Sequence, residues 1–187
     1  MITYRILLNS ELPFYGFYLK ERSLDSRQIY FGYNIQNEHI DDLINKIVSD
    51  PVKNHIVVAE DFNDDIVGTV HISEIDSGQV EFGVMVSEGY RKRGIASGLM
   101  DYAITWSRNR GYQDLYMHCL SYNAAIKHLV RKHGLKITQD GPDSDAELHM
   151  KPSNIFSVGH ELMLRQQNAA NYIIKHQIQT FKRVLAV

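Results

Sequence analysis

The 187-residue chain holds a single cysteine, Cys119. One thiol cannot close an internal disulfide, so nothing in the sequence asks for an oxidising compartment. Proline is also scarce, at four residues, and no stretch is repetitive or low in complexity, which sets aside collagen-like and disordered chains. No apolar run approaches the ~18 residues that span a bilayer. Met1 to Ile6 lack the cationic, then apolar, order of a signal peptide. A strong charge of either sign is missing too. Twenty Lys and Arg stand against 22 Asp and Glu, a net −2, which leaves no broad field to hold nucleic acid or an anionic membrane. His55, His71, His118, His149 and Cys119 fall at no metal-ligand spacing, and no serine sits in a nucleophile motif. These absences predict a cytoplasmic protein with no metal and with neither nucleic-acid nor membrane partners. Cys119 reads as a buried structural thiol.

The length suits one domain with an appendage. Tyr4 to Leu8 reads as a first strand. Asn9 to Asn37 is rich in Tyr and Phe and reads as one or two short helices with loops. Ile40, Leu43, Ile44, Ile47 and Val48 recur at helical spacing, and Asp50-Pro51 ends that helix because proline disfavours a helical residue before it. His55–Glu60, Ile66–Ile72 and Gln79–Val86 follow as strands with short Asn, Asp and Gly turns between them, an antiparallel meander. A basic, glycine-containing stretch then opens a helix with an Ile95, Leu99, Met100, Ala103, Ile104 stripe. Asp114 to Leu120 is a strand. Asn123 to His133 is an amphipathic helix, with Gly134 placed to cap its C-terminus. Leu135–Thr138 and Glu147–Lys151 read as closing strands around a polar loop, Gln139 to Asp145. From Ser157 the chain is helical again, with one apolar stripe that must be buried on its own core, on a second copy in a homodimer, or across a cleft. The order is mixed α/β (α+β).

The stretch with chemical meaning is Arg91-Lys92-Arg93-Gly94-Ile95-Ala96-Ser97-Gly98, between a strand and a helix. The first N–H groups of a helix have no internal partner and the helix dipole adds partial positive charge, so the site suits an anion. Gly94, Ala96 and Ser97 let a phosphate approach the backbone.

Val84-Met85-Val86, a short loop and Tyr90 to Met100 resemble motif A of the GCN5-related N-acetyltransferases, with Arg91, Gly94 and Ala96 at the fixed positions. Asn123 to Leu135 resembles their motif B, an Asn-headed helix ending near a Gly. Two motifs lie in the right order on the right elements. The resemblance covers about residues 1–151, leaving 152–187 as a C-terminal helical extension. It implies a mostly antiparallel central sheet with a splayed strand pair, flanked by helices. It also implies acetyl-coenzyme A as cosubstrate. The backbone of Arg91, Lys92, Arg93, Gly94, Ile95, Ala96 and Ser97 would hold the pyrophosphate. The backbone of Val84, Met85 and Val86 would hold the pantetheine arm, and Asn123 would lie beside that arm.

An amine must lose a proton before it attacks a thioester, and a nearby carboxylate can take that proton. Glu81 is the candidate base, with Val80 and Phe82 expected to shield it and raise its pKa. The motif B tyrosine that protonates the leaving thiolate in many relatives is replaced by Val130. Tyr116, Tyr122, His118 and His128 are substitutes in principle. For the acceptor, Phe14 to Asn37 offers aromatic surface, while Asp140, Asp143 and Asp145 offer charge for a cationic amine. The expected function is acetyl transfer to an amine of a small molecule or peptide. Alternatives are a coenzyme-binding module without turnover and a toxin acting on aminoacyl-tRNA.

Overall fold

The computed structural model describes residues 1–140 and 143–185, with the side chains of residues 139, 140, 143 and 182–185 left undescribed. Seven strands form one sheet: β1 Thr3–Ile6, β2 Asn54–Glu60, β3 Ile66–Asp76, β4 Gln79–Val86, β5 Asp114–Leu120, β6 Lys136–Asp140 and β7 Asp143–His149. Their spatial order is β1-β2-β3-β4-β5-β7-β6. Every neighbouring pair is antiparallel except β4 and β5, which run parallel. Helices α1 Leu12–Lys20, α2 Leu24–Phe31 and α3 Asn37–Ser49 precede β2, α4 Ile95–Asn109 links β4 to β5, α5 Ala124–Lys132 links β5 to β6, and α6 Ile155–Leu185 ends the chain.

The alternation of each strand sorts its side chains into two cores. Val57, Val70, Ile72, Val80, Phe82, Leu115 and Met117 point to one face, where Leu99, Met100 and Trp106 of α4 and Val130 of α5 cover them. Ile56, Val58 and Met85 point to the other, under Leu12, Tyr15 and Leu19 of α1 and Ile40, Ile44 and Ile47 of α3. That second layer of helices covers β2 and β4. The same face of β5 and β7 carries exposed polar groups instead, among them His118 and Asp145.

The expected polar loop from Gln139 to Asp145 is wrong in extent. β6 runs to Asp140 and β7 begins at Asp143. Acidic residues that alternate along an edge hairpin have the composition of a polar loop. Ser144 and Ala146 are buried, while Asp145 and Glu147 face water. Asp140 and Asp143 pair in register, and their side chains lie outside the described residues.

Helix α6 packs along β1 and α4. Asn168 Oδ1 accepts the Tyr4 N–H at 2.9 Å, so the helix satisfies an amide of the edge strand that water or another strand would otherwise meet. Lys175 is fully buried. Its Nζ donates to the Asp61 carbonyl at 3.0 Å and pairs with the Asp64 carboxylate. The expected apolar stripe is not the face that packs: Leu162, Ala169, Ile173, Ile174, Ile178 and Phe181 are all exposed, while Ser157, Glu161, Leu164, Asn168 and Lys175 turn inward. The Lys182 and Arg183 side chains lie outside the described residues.

One buried titratable group gives the fold a pH dependence. His71 on β3 donates from Nε2 to Asn54 Oδ1 at 2.9 Å, and burial, with His55 adding, pushes its imidazole down to about 4. Above the ordinary imidazole value of ~6.5 the ring is neutral in both folded and unfolded chains. As pH falls below that value the unfolded chain takes up a proton that the folded one refuses. Stability is therefore lost between about pH 6.5 and pH 4, by roughly 3 kcal/mol in all. Urea unfolding at pH 7 and pH 4.5 should show a smaller loss in His71→Gln than in the parent. Equal losses would contradict this assignment.

Candidate active site in the split between β4 and β5

β4 and β5 pair only over Gln79↔Asp114, Val80↔Leu115 and Glu81↔Tyr116. β4 continues to Val86 and β5 to Leu120, so the last five and four residues respectively diverge. The direction of the free amides follows from alternation along the strand. Gly78 accepts from Gln113 and Asp114, towards β5. Ser87 donates to Val67, towards β3. Val84 and Val86 therefore turn their N–H and C=O groups into the split, while those of Met85 turn to β3. This edge offers a flexible arm the hydrogen bonds of a missing strand. The side chain of Met85 is buried in the second core.

After β4 a 3₁₀ turn, Glu88–Tyr90, leads to α4. Lys92 and Gly94 both adopt left-handed backbone, with φ of 60° and 78°. Gly94 is the N-cap residue of α4, and a Cβ built there meets nothing within 4 Å. A cradle at the head of a 15-residue helix is thus open to a ligand. The side chain of Ile95 turns away into the core and that of Ala96 is partly buried.

The basic side chains divide their roles. The Arg91 guanidinium turns inward, donating to the Val86 carbonyl at 3.3 Å and to Ser26 Oγ at 2.8 Å, and the Arg91 N–H donates to Glu88 at 3.3 Å. Arg91 therefore ties the loop to α2, and the candidate phosphate donors narrow to the N–H groups of Lys92 through Ser97. The same tie is reinforced by Glu88, which accepts from Ser23 and Ser26. Those hydroxyls hold its carboxyl down at about 2. The Arg93 guanidinium stacks on the Tyr90 ring, 5.0 Å from its centroid, and Lys92 is exposed. Two residues of motif B join the cradle that composition alone did not single out. Lys132 Nζ donates to Ser97 Oγ at 2.8 Å, and His133 Nε2 lies 3.0 Å from the same oxygen, with its Nδ1 3.3 Å from Asp101. Asn123 caps α5, its Oδ1 accepting the Ile126 N–H at 3.2 Å. Val130 is fully buried.

Glu81 stands where the strands part. Its expected shielding by Val80 and Phe82 is not realised, because those neighbours alternate to the opposite face, into the core. The Glu81 side chain is 40% exposed. It shares its face with Tyr116, its register partner, and with Gly83, where a Cβ would stand 2.5 Å from the Tyr30 hydroxyl of α2. Glycine at 83 is what lets Tyr30 lie on the strand beside Glu81. Burial raises the Tyr30 phenol to about 12, and its hydroxyl lies 3.0 Å from that of Tyr15. On the far side of the split, His118 Nε2 lies 4.0 Å from Glu81 Oε1, and His118 Nδ1 is bonded to Asp145. Tyr116 Oη donates to Glu147 at 3.4 Å. The other substitutes stand apart: Tyr122 is largely exposed and His128 lies on the outer face of α5. Cys119 is buried, its thiol donating to the Ser144 carbonyl at 3.3 Å.

A second cavity, about 1160 Å³, opens elsewhere, between α1, the turn after β4 and α6, bordered by Phe17, Arg22, Glu88 and Tyr172. It includes neither Glu81 nor Gly94. Among the described residues no three His, Cys, Asp or Glu side chains gather as a metal site, and no helix is long and apolar enough to cross a membrane.

A split parallel strand pair feeding a glycine-headed helix is the arrangement that the motifs led us to expect, and a family model agrees. The acetyltransferase (GNAT) family model matches residues 19–135, more than half of the chain. The chain belongs to the GNAT family. No curated protein matches it by sequence. Solved structures do match by fold. A GNAT-family acetyltransferase of Streptococcus pneumoniae is 19% identical, with a TM-score of 0.66 over 81% of this chain and 100% of that one. Spermidine N-acetyltransferase of Vibrio cholerae, solved with CoA and spermine, is 20% identical, with a TM-score of 0.63 over 79% and 95%. Ribosomal-protein-alanine N-acetyltransferase of Brucella melitensis is 18% identical, with a TM-score of 0.58 over 79% and 99%. At these identities the likeness carries the fold alone. That fold is the mixed, mostly antiparallel sheet with helices on both faces and a helix added at the C-terminus.

Proposed function

We propose that this GNAT protein is a cytoplasmic N-acetyltransferase that moves the acetyl group of acetyl-coenzyme A onto a cationic amine of a small molecule or peptide. The observation that carries the reading is the divergence of β4 from β5 beyond Glu81, with the free amides of Val84 and Val86 leading to the open cradle at Gly94. In this reading the N–H groups of Lys92 to Ser97 hold the pyrophosphate, with Lys132 adding charge beside Ser97. The exposed edge of β4 holds the pantetheine arm. The thioester then lies where the strands part, next to Glu81.

The acceptor enters from the open face of β5 and β7, where Glu81, Asp145 and Glu147 outnumber the cations and favour a protonated amine. Tyr30 walls this entrance. Glu81 pairs with the ammonium, and one proton leaves before the nitrogen can attack. The chemistry needs no metal, and no nucleic acid is required as partner. The apolar residues exposed on α6 suit a homodimer contact, outside the reaction itself.

A second reading rests on Val130. It is buried and apolar where the motif calls for a proton donor, which would suit a coenzyme-binding module without turnover. Thiol release from acetyl-coenzyme A across polyamines, amino acids, aminoglycosides and short peptides separates the two. Release that depends on a cationic acceptor is expected. Tight coenzyme binding without release for any of them would favour the second reading.

A further inference from the structure

His118 sits two residues beyond the last β4–β5 pair, on the diverging part of β5 and on the face that carries Glu81. It is held there by construction. His118 and Asp145 are direct cross-strand partners in the β5–β7 ladder, and the Asp145 carboxylate accepts from His118 Nδ1. An acceptor at Nδ1 fixes the tautomer, with the proton on that nitrogen and the lone pair on Nε2. Nε2 is the atom turned to Glu81, at 4.0 Å. That gap is longer than a hydrogen bond, so the two are not bonded to each other, and an amine nitrogen or a water on the open side can bridge them. The arrangement is a carboxylate, an oriented imidazole and an open position, the geometry of an activated base.

We infer that His118, oriented by Asp145, is the proton acceptor for the incoming amine, with Glu81 pairing with its ammonium. This rests on the N-acetyltransferase reading. It also separates proton removal from charge pairing. Glu81 is 40% exposed and unshielded by its strand neighbours, whereas His118 is oriented by a carboxylate and presents its lone pair to the gap. The step balances as follows. The ammonium gives one proton to His118 Nε2. The freed amine forms the N–C bond, and the C–S bond breaks to release the coenzyme thiolate. The second nitrogen proton goes to water, and the imidazolium proton passes to the thiolate. The products are the acetamide, the coenzyme thiol and one proton in solution. Val130 then leaves no gap in proton delivery, because the donor arrives from the acceptor side.

The test is the pH dependence of thiol release for the parent, His118→Gln and Asp145→Asn, with the best amine of the panel. The groups facing His118 are Glu81 on β4, Tyr116 on its own strand, Asp145 and Glu147 on β7, Lys136 on β6 and Tyr30 on α2. His118 is exposed, so His118→Gln is expected to fold and to bind acetyl-coenzyme A as the parent does. Its kcat should fall by about 10²–10³-fold, the acidic limb of its kcat/KM profile should disappear, and added imidazole should restore part of the rate. Asp145→Asn should lose less and should shift the same limb. Parent kcat and an unchanged profile in His118→Gln would overturn the assignment while leaving the enzyme reading intact. So would a loss that imidazole does not rescue and that keeps the parent's limb. A parent that releases no thiol with any amine removes both.

Discussion

Gly94→Glu is expected to abolish acetyl-coenzyme A binding, weakening it at least 100-fold, while the protein stays folded. Gly94 has φ of 78°, a conformation that costs a residue with a Cβ roughly 1–2 kcal/mol. That penalty is a fraction of a typical domain's stability. The Cβ itself meets nothing within 4 Å, so the fold loses little else. The ligand site loses far more. The glutamate side chain would occupy the open cradle at the head of α4 and place a negative charge at the proposed pyrophosphate position, capping the helix with its own carboxylate. Calorimetric titration with acetyl-coenzyme A reads the binding, and thermal melting checks the fold. Retained affinity in a folded Gly94→Glu protein would refute the placement of the pyrophosphate.

Glu81→Gln is expected to lower kcat/KM for cationic amines by roughly 10²-fold, mostly through KM. The carboxylate is partly wetted, so its attraction for an ammonium is of the order of 1–3 kcal/mol rather than the value of a dry ion pair. Glutamine keeps the shape and removes the charge. A neutral or weakly basic amine, which brings no cation to the site, should lose much less. Steady-state kinetics with paired amines of equal size and different charge would show the contrast. Equal losses for both kinds would remove Glu81 from ammonium recognition.

The periodic elements were legible in the sequence because each obeys one dominant rule. Ile40, Ile44 and Ile47 mark α3, the alternation of Gln79 to Val86 marks β4, and Gly134, with φ of 81°, closes α5 as its position predicts. The open backbone at the head of α4 was legible as well, since it needs only a Gly and small neighbours. The face around Glu81 was not. Glu81 was found from its strand position, yet which side chains shield it depends on which face of the sheet is covered by α1 and α3, a tertiary fact. His118 and Asp145 are 27 residues apart and meet only through the β5–β7 register. Nothing local distinguishes Asp145 from any other acidic residue of an edge hairpin, which is why this segment reads as a loop. Tyr30 was one of many aromatics until its contact with Gly83 set it beside Glu81. For α6 the apolar spacing predicted a helix correctly, but buried Lys175 lies off that stripe and owes its position to Asp61 and Asp64.

Every step above depends on acetyl-coenzyme A lying in the split between β4 and β5. Amide hydrogen exchange with and without acetyl-coenzyme A tests that directly, because the free N–H groups involved are known one by one. Protection is expected at Val84 and Val86 and at Lys92 to Ser97, with little change around Phe17, Arg22 and Tyr172. Protection confined to that second group, which borders the 1160 Å³ cavity, with none along β4 or at the head of α4, would contradict the placement and the chemistry built on it.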